Sequence, residues 1–287
     1  MNSQFRIVEH RQRAGQMSEV LISFVVPAYN EEALIASCLN AIAAEIVRTG
    51  YPAEIIVVNN NSSDRTREIA SSIPGVTIID EPQRGLVQAR RAGCLAARGR
   101  LIANIDADTM IPEGWLDTAV AEFDASPGLV ALSGPFVHYD VSKSARIVVA
   151  VFYRFAFATY LLVRFVFRAG SMMQGGNFVV LKRALDAADA FNPKFNFYGE
   201  DTELARRLSK VGSVKFSFDL PAFSSGRRLV AEGLFRVAFQ YSVNYLWTVL
   251  FKRPFTLTWF DFRHPNDVDD TRTLVVAAPA RIDPPEP

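Results

Sequence analysis

The chain has little cysteine: Cys38 and Cys94 are the only two in 287 residues. Neither stands at a metal-ligand spacing, and a chain of this length needs no disulfide staple to build a core. A reducing compartment is the simplest reading. Charge of one sign is equally scarce. Lys and Arg number 31 against 30 Asp and Glu, a balance of +1. That removes the general electrostatic reason to expect a nucleic-acid partner. No window offers the ~18 uninterrupted apolar residues of a spanning helix. Residues 147–167 come nearest, and Arg154 and Arg164 interrupt them. No secretory leader is expected, because the first apolar run, residues 20–28, has no cleavage pattern and contains Pro27. No internal repeat is visible.

What is present forms a core. Hydrophobic residues make up 49% and charged residues 21%, which excludes global disorder. The length suits one large domain or two small ones. Residues 1–19 are polar and read as a loose arm. A rhythm follows. Residues 21–26, 54–58, 76–79, 101–105 and 129–133 are apolar runs of strand length. Between them, residues 31–48, 85–98 and 115–124 read as helices. In the first, Leu34, Ile35, Cys38, Leu39, Ile42 and Ile46 share a face. Ser63 or Asp64 caps a further helix, and Gly99 is expected to stop the helix at 85–98. Strands buried on both faces and alternating with helices predict an α/β fold with a mostly parallel sheet. In such sheets ligands bind beyond the carboxyl ends of the strands. The polar clusters fall after Val26, Val58 and Ile105.

Four clusters carry chemistry. Asp106-Ala107-Asp108 follows a strand, so two carboxylates can reach one point and hold a divalent cation such as Mg2+ or Mn2+; a solvated turn fits the same residues. Gly199-Glu200-Asp201 precedes a helix-like segment at 202–211 and supplies either a general base or an N-terminal acid pair. Gln174-Gly175-Gly176-Asn177 permits close backbone approach to a ligand, or a tight turn before the strand at 178–181. Arg227-Arg228 suits a diphosphate through its planar donors, or is a solvated basic pair.

Together and in this order, the pieces resemble the family 2 glycosyltransferases, whose catalytic domain is the nucleotide-diphospho-sugar transferase fold called GT-A. Val26-Pro27-Ala28-Tyr29-Asn30-Glu31-Glu32 is similar to the family's opening motif. Residues 54–58 with 59–66 resemble its second. Gly85, Ala89-Arg90 and Gly93 resemble the helix leading to the Asp-x-Asp strand. Asp106-Ala107-Asp108, with Pro112 and Trp115, matches the metal motif. Gly175-Gly176-Asn177 and Gly199-Glu200-Asp201 match the acceptor-side motifs. The resemblance covers residues 20–230 and divides the chain into a catalytic domain at 20–228, with a nucleotide-sugar half at 20–135 and an acceptor half at 136–228. Residues 229–265 then form an amphipathic aromatic and basic helical segment, and 266–287 a disordered tail.

The resemblance implies the roles. Pro27, Ala28, Tyr29 and Glu31 line the nucleotide pocket, with Gly85 and Ala89 nearby. Asp64 and its loop, including Asn60, hold the base or ribose. Asp106 and Ala107 lie near the ribose and sugar, with Asp108 as principal metal ligand and Asp106 beside it. Asp201 is the base of an inverting displacement. Glu200, Gly175, Gly176 and Asn177 shape the acceptor site, and Arg227 or Arg228 adds positive charge to the diphosphate. The sequence departs from the family at Asn59-Asn60-Asn61, where Asp-Asp-Gly is frequent, so the usual uracil contact is in doubt. Arg91 stands where Asn is frequent. The Gln-x-x-Arg-Trp motif of processive synthases is missing, so transfer of one sugar to a hydroxyl acceptor is expected.

Residues 144–168 and 229–262 are apolar, aromatic and dotted with Arg and Lys. They read as core helices or a homodimer face, or as amphipathic helices at a membrane interface. Tyr241, Tyr245, Trp247 and Trp259 favour the second segment for the membrane. A cytoplasmic protein, peripheral at the inner face of the membrane, with a lipid-linked acceptor follows from that reading. A nucleotidyltransferase is disfavoured because residues 27–32 are acidic where a triphosphate needs a basic loop. A silent sugar-nucleotide scaffold would have no need of both Asp108 and Asp201.

Overall fold

The computed structural model describes residues 19–167, 172–188, 199–251, 255–256, 258–260 and 274–276. The chain opens with β1 (Ile22–Ala28), α1 (Ile35–Thr49), β2 (Ala53–Asn59), α2 (Thr66–Ser71), β3 (Val76–Asp80), α3 (Leu86–Ala96) and β4 (Leu101–Ile105). There follow β5 (Thr109–Met110), α4 (Trp115–Ala125), β6 (Leu129–Ser133), β7 (Phe136–His138), α5 (Lys143–Phe167) and β8 (Asn177–Leu181). Then come α6 (Lys182–Ala188), α7 (Glu200–Leu208), β9 (Ser213–Phe216), β10 (Ala222–Ser224), α8 (Arg227–Glu232), α9 (Leu234–Phe251), β11 (Thr258–Phe260) and β12 (Leu274–Val276).

Seven strands form the central sheet in the order β3-β2-β1-β4-β8-β6-β9. All neighbours are parallel except at β8, which runs antiparallel to β4 and β6. β1, β4, β6 and β8 are buried along their whole length, because helices cover both faces. The expected α/β architecture, a mostly parallel sheet flanked by helices, is therefore the observed one.

Four details differ from the sequence reading. α1 starts at Ile35, not 31, because Glu31 donates its backbone N–H sideways to Thr66 Oγ1 at 2.7 Å. Gly99 does not stop α3. The helix ends at Ala97 in extended conformation. Gly99 instead lies against β1, where a Cβ would come within 2.6 Å of the Ser23 backbone nitrogen. A second sheet, β5-β10-β7, was not legible, since its strands are two or three residues long. In the tail expected to be disordered, β12 pairs antiparallel with β11; the rest of 266–287, and the arm at 1–18, lie outside the described residues.

Both cysteines are free and buried. Burial pushes the Cys38 thiol well up, and its Sγ contacts the Asp106 carbonyl oxygen at 3.5 Å. It is packing beneath the acid motif. α9 packs on the start of α7. At that contact Gly199 has φ 74°, and a Cβ there would fall on the buried Thr248 hydroxyl. Both the conformation and the space call for glycine.

Candidate active site

The loops after β1, β2 and β4 meet at the carboxyl edge of the sheet. Backbone strain helps shape the first two: Asn30 and Asn61 have φ of 50° and 62°, a region Asn tolerates. The loops then bond to each other. Asn30 N–H donates to Ser62 Oγ at 3.1 Å, and Asn30 Oδ1 accepts from Ser63 N–H at 2.9 Å. Asp64 accepts from Glu32 N–H at 3.1 Å and from Thr66 N–H at 2.9 Å.

Several residues expected to contact the donor are parts of this frame. Asn60 is buried. Its amide donates to the Glu81 and Gln83 carbonyls at 3.0 and 2.8 Å, and its Oδ1 accepts from Gly85 N–H at 2.8 Å. It latches the loop that starts α3. Asn59 is likewise engaged with Asp80 at 2.8 Å. Pro27, Ala28, Ala89 and Ala107 are buried as well. Tyr29 remains at the rim, with the Arg84 guanidinium 4.0 Å from its ring centroid. Sequence reading missed Arg84, an exposed residue in a turn.

Two clusters of opposite charges organise the rest. In one, Arg227 Nη2 donates to Glu31 Oε1 at 2.5 Å and to Asp108 Oδ2 at 3.0 Å. Arg227 reaches there because Asp140 accepts from Ser225 Oγ at 2.6 Å and from Gly226 N–H at 2.5 Å, fixing the turn that begins α8. Its neighbour Arg228 points elsewhere, to Glu232 at 2.8 Å and the Tyr241 hydroxyl at 3.2 Å. Of the arginine pair, Arg227 joins the acid motif.

In the other cluster, Arg90 is 1% exposed and lies between Asp106, at 3.0 Å, and Glu200, also hydrogen-bonded. Arg90 therefore ties the loop after β4 to the start of α7. Its signal was in the sequence: it is in phase with the buried Val87 and Cys94 on α3, an arginine on an apolar face.

The paired glycines approach protein rather than open space. A Cβ at Gly176 would fall on the Asp106 carboxyl, and one at Gly175 would lie 3.1 Å from Glu200 Oε1. Gly176→Ala should displace Asp106 and lower turnover by about 10²-fold, the order expected for a misplacement near 1 Å. A steady-state kcat within twofold of the parent would refute that placement. Asn177, expected at the acceptor, is fully buried. Its Oδ1 accepts from Trp115 Nε1 at 3.1 Å and its amide donates to the Leu220 carbonyl at 2.8 Å, so it joins β8 to its neighbours.

Asp201 stands at the N-terminus of α7, beside Glu200, and accepts from Thr202 N–H at 2.7 Å. Desolvation raises its carboxyl above the ordinary value of 3.8, opposed by the Thr202 N–H and the Arg90 charge. A carboxylate with a raised pKa takes up a proton more readily.

Asp108 and Asp106 offer hard oxygens of the kind Mg2+ or Mn2+ takes, and such ions keep several positions for water and phosphate. Among the described residues no group of three acidic, His or Cys side chains converges, so the protein would supply few ligands. The Arg227 guanidinium between Asp108 and Glu31 shows that these carboxylates already accommodate positive charge. The residues fit the ion.

Residues 23–188, more than half of the chain, match the family described as Glycosyl transferase family 2. The dolichyl-phosphate beta-glucosyltransferase ALG5C of Trichomonas vaginalis is 41% identical over 101 residues, 32% of this chain and 30% of that protein. Glycosyltransferase AglE of Haloferax volcanii is 32% identical over 108 residues, 35% of this chain and 34% of that protein. The chain thus matches about a third of the length of these relatives. Glucosyl-3-phosphoglycerate synthase from Mycobacterium tuberculosis, solved with Mn2+, uridine-diphosphate and phosphoglyceric acid, superposes with a TM-score of 0.58. It covers 95% of this chain and 91% of its own, at 19% identity. The mannosyltransferase PcManGT of Pyrobaculum calidifontis, solved with GDP-Man and Mn2+, gives a TM-score of 0.53 at 20% identity, over 84% of this chain and 71% of its own. At those identities the likeness is one of fold, the GT-A fold. With the sheet, the acid motif and the matched residues in agreement, the chain belongs to glycosyl transferase family 2.

Proposed function

We propose that the protein transfers one sugar from a nucleotide-diphosphate sugar to a hydroxyl acceptor, inverting the anomeric carbon. The observation that carries this is the Asp106–Arg90–Glu200 bridge. It joins the loop of the acid motif to the start of α7, where the candidate base Asp201 stands, which supports a direct displacement between the two. The acceptor oxygen forms a bond to the anomeric carbon while the bond from that carbon to the diphosphate breaks. Asp201 takes the acceptor proton. A divalent cation held by Asp108 and Asp106 would offset the charge of the departing diphosphate. Arg227 stands beside Asp108 and can swing its guanidinium to the same phosphates.

Mn2+ and nucleotide sugars occur with the structural neighbours, and dolichyl-phosphate is named in a relative. We extend both to this chain as a divalent-metal-dependent donor site and a lipid-linked acceptor. A nucleotide panel tests the donor site: UDP, GDP, CMP, dTDP and ADP, each with and without Mn2+, read by thermal shift. At a hundredfold excess over Kd, a ligand of the native state adds about 2.7 kcal/mol. A Mn2+-dependent rise in Tm with one nucleotide is expected. No shift with any of the five would overturn the donor site. Because Asn59 and Asn60 are committed to the frame, base choice falls to Tyr29, Arg84 and the loop backbone rather than to the amides.

A further inference from the structure

We infer that the outer face of α5 docks on an anionic bilayer surface. In its 25 residues α5 contains no Asp or Glu, and it carries Lys143, Arg146, Arg154 and Arg164. Its inner face is fastened to the domain. The Tyr153 and Phe157 rings pack on Phe216, at 6.2 and 6.1 Å between centroids, and the Tyr153 hydroxyl donates to Gln174 at 2.9 Å. The opposite face is covered by nothing among the described residues. Ile147, Val151 and Phe155, one helical turn apart, are 65%, 59% and 71% exposed. Lys143, Arg146 and Arg154 are exposed beside them.

This face differs from the sequence expectation, which favoured residues 229–262. There α9 buries Val237, Asn244 and Thr248 against the domain and leaves Phe239 and Phe251 exposed, without the row of cations that α5 carries. α5, over Lys143–Leu161, is long and apolar enough to cross a membrane by composition, but its Tyr153 and Phe157 rings pack on Phe216. A helix fixed along one side can lie in the interface plane. The charges select the occupant. In a twofold contact between copies through this face, Lys143, Arg146 and Arg154 would meet a surface with the same cations and no acid from either helix. A bilayer rich in acidic lipid supplies phosphates to those cations while the stripe enters the acyl boundary.

Gln174, bonded to Tyr153, directly precedes Gly175-Gly176. Because Tyr153 lies on the inner face, docking through α5 would leave that loop about one helix diameter from the bilayer surface; any link to the acceptor, unlike the docking itself, rests on the proposed transferase reading.

The test is co-sedimentation of the full chain with vesicles of phosphatidylcholine alone or with 30% phosphatidylglycerol. Binding is expected to the acidic vesicles only, weakened by salt. The triple variant Ile147→Asp, Val151→Asp, Phe155→Asp changes exposed positions outside the donor site. It should bind acidic vesicles at least about tenfold more weakly, from the lost apolar insertion alone. Its nucleotide-dependent thermal shift should be unchanged, which also reports that it folds. No sedimentation of the parent, or equal sedimentation of the variant, would overturn the inference. So would a parent dimer in solution that the variant converts to monomer. A lost nucleotide shift with intact vesicle binding would count against the transferase reading and leave the docking surface standing.

Discussion

Asp201→Asn is expected to leave nucleotide binding intact and to lower sugar transfer by roughly 10²–10⁴-fold, the range general-base removal produces. The substitution keeps the shape and the hydrogen bond from Thr202 N–H but cannot accept a proton. The pH dependence gives an independent reading. Desolvation lifts the Asp201 pKa above 3.8, so the base is ionised only at a higher pH than an ordinary carboxylate. The parent rate should climb through that raised pKa, and the residual rate of the variant should lack this limb. Stability moves the other way. The folded state binds the Asp201 proton more tightly than the unfolded chain, so the contribution of this group is most favourable below the unfolded value. It declines as pH rises through the raised folded one. Asp201→Asn should remove that decline. Parent-like turnover of the variant at any pH would eliminate Asp201 as the base.

The second large effect belongs to Arg90. Arg90→Met should cost about 3–5 kcal/mol of stability, the order for removing one partner of a buried ion pair, because Glu200 is left charged and buried. Adding Glu200→Gln to that variant should recover much of the stability and none of the rate. Arg90→Lys keeps the charge without the planar fork that reaches both carboxylates. It should fold, bind nucleotide, and lose mainly kcat rather than KM. Since the Arg90 charge lowers the Asp201 pKa, removing it in Arg90→Met, where Glu200 keeps its carboxyl, should push the rising limb of the pH–rate profile to higher pH. A merely structural arginine would leave that limb where it is. Denaturant melts, steady-state kinetics and a pH profile suffice to separate these outcomes.

Much of the fold could be read without coordinates. The strands at 101–105 and 129–133 are found at the expected residues because a fully buried parallel strand needs a continuous apolar run, and such runs are visible in a sequence. The periodicity of α1 is visible for the same reason: Ile35, Cys38, Leu39 and Ile42 must all point inward. The acid motif was legible by its position just past β4. What could not be read is which polar side chains are committed to the frame. Asn60 and Asn177 carry the same groups whether they face a ligand or a neighbouring backbone. Only the nearness of Glu81, Gln83 and Gly85 in one case, and of Trp115 and Leu220 in the other, decides. Which helix keeps a continuous open stripe was not legible for a related reason. Aromatic content marks α9, but packing against α7 buries part of it, whereas α5 keeps its stripe exposed.

The α/β fold, the order of its motifs and the placement of acidic residues at the carboxyl ends of strands were readable from the residues, because period and local chemistry act over a few positions. It took the folded chain to show that Arg90 joins Asp106 to Glu200, that Arg227 meets Asp108, and that Ile147, Val151 and Phe155 of α5 stay exposed. Those outcomes depend on groups as far as 119 residues apart in the chain, and on which of two similar side chains a short β10 strand and the Asp140 tether deliver to the site.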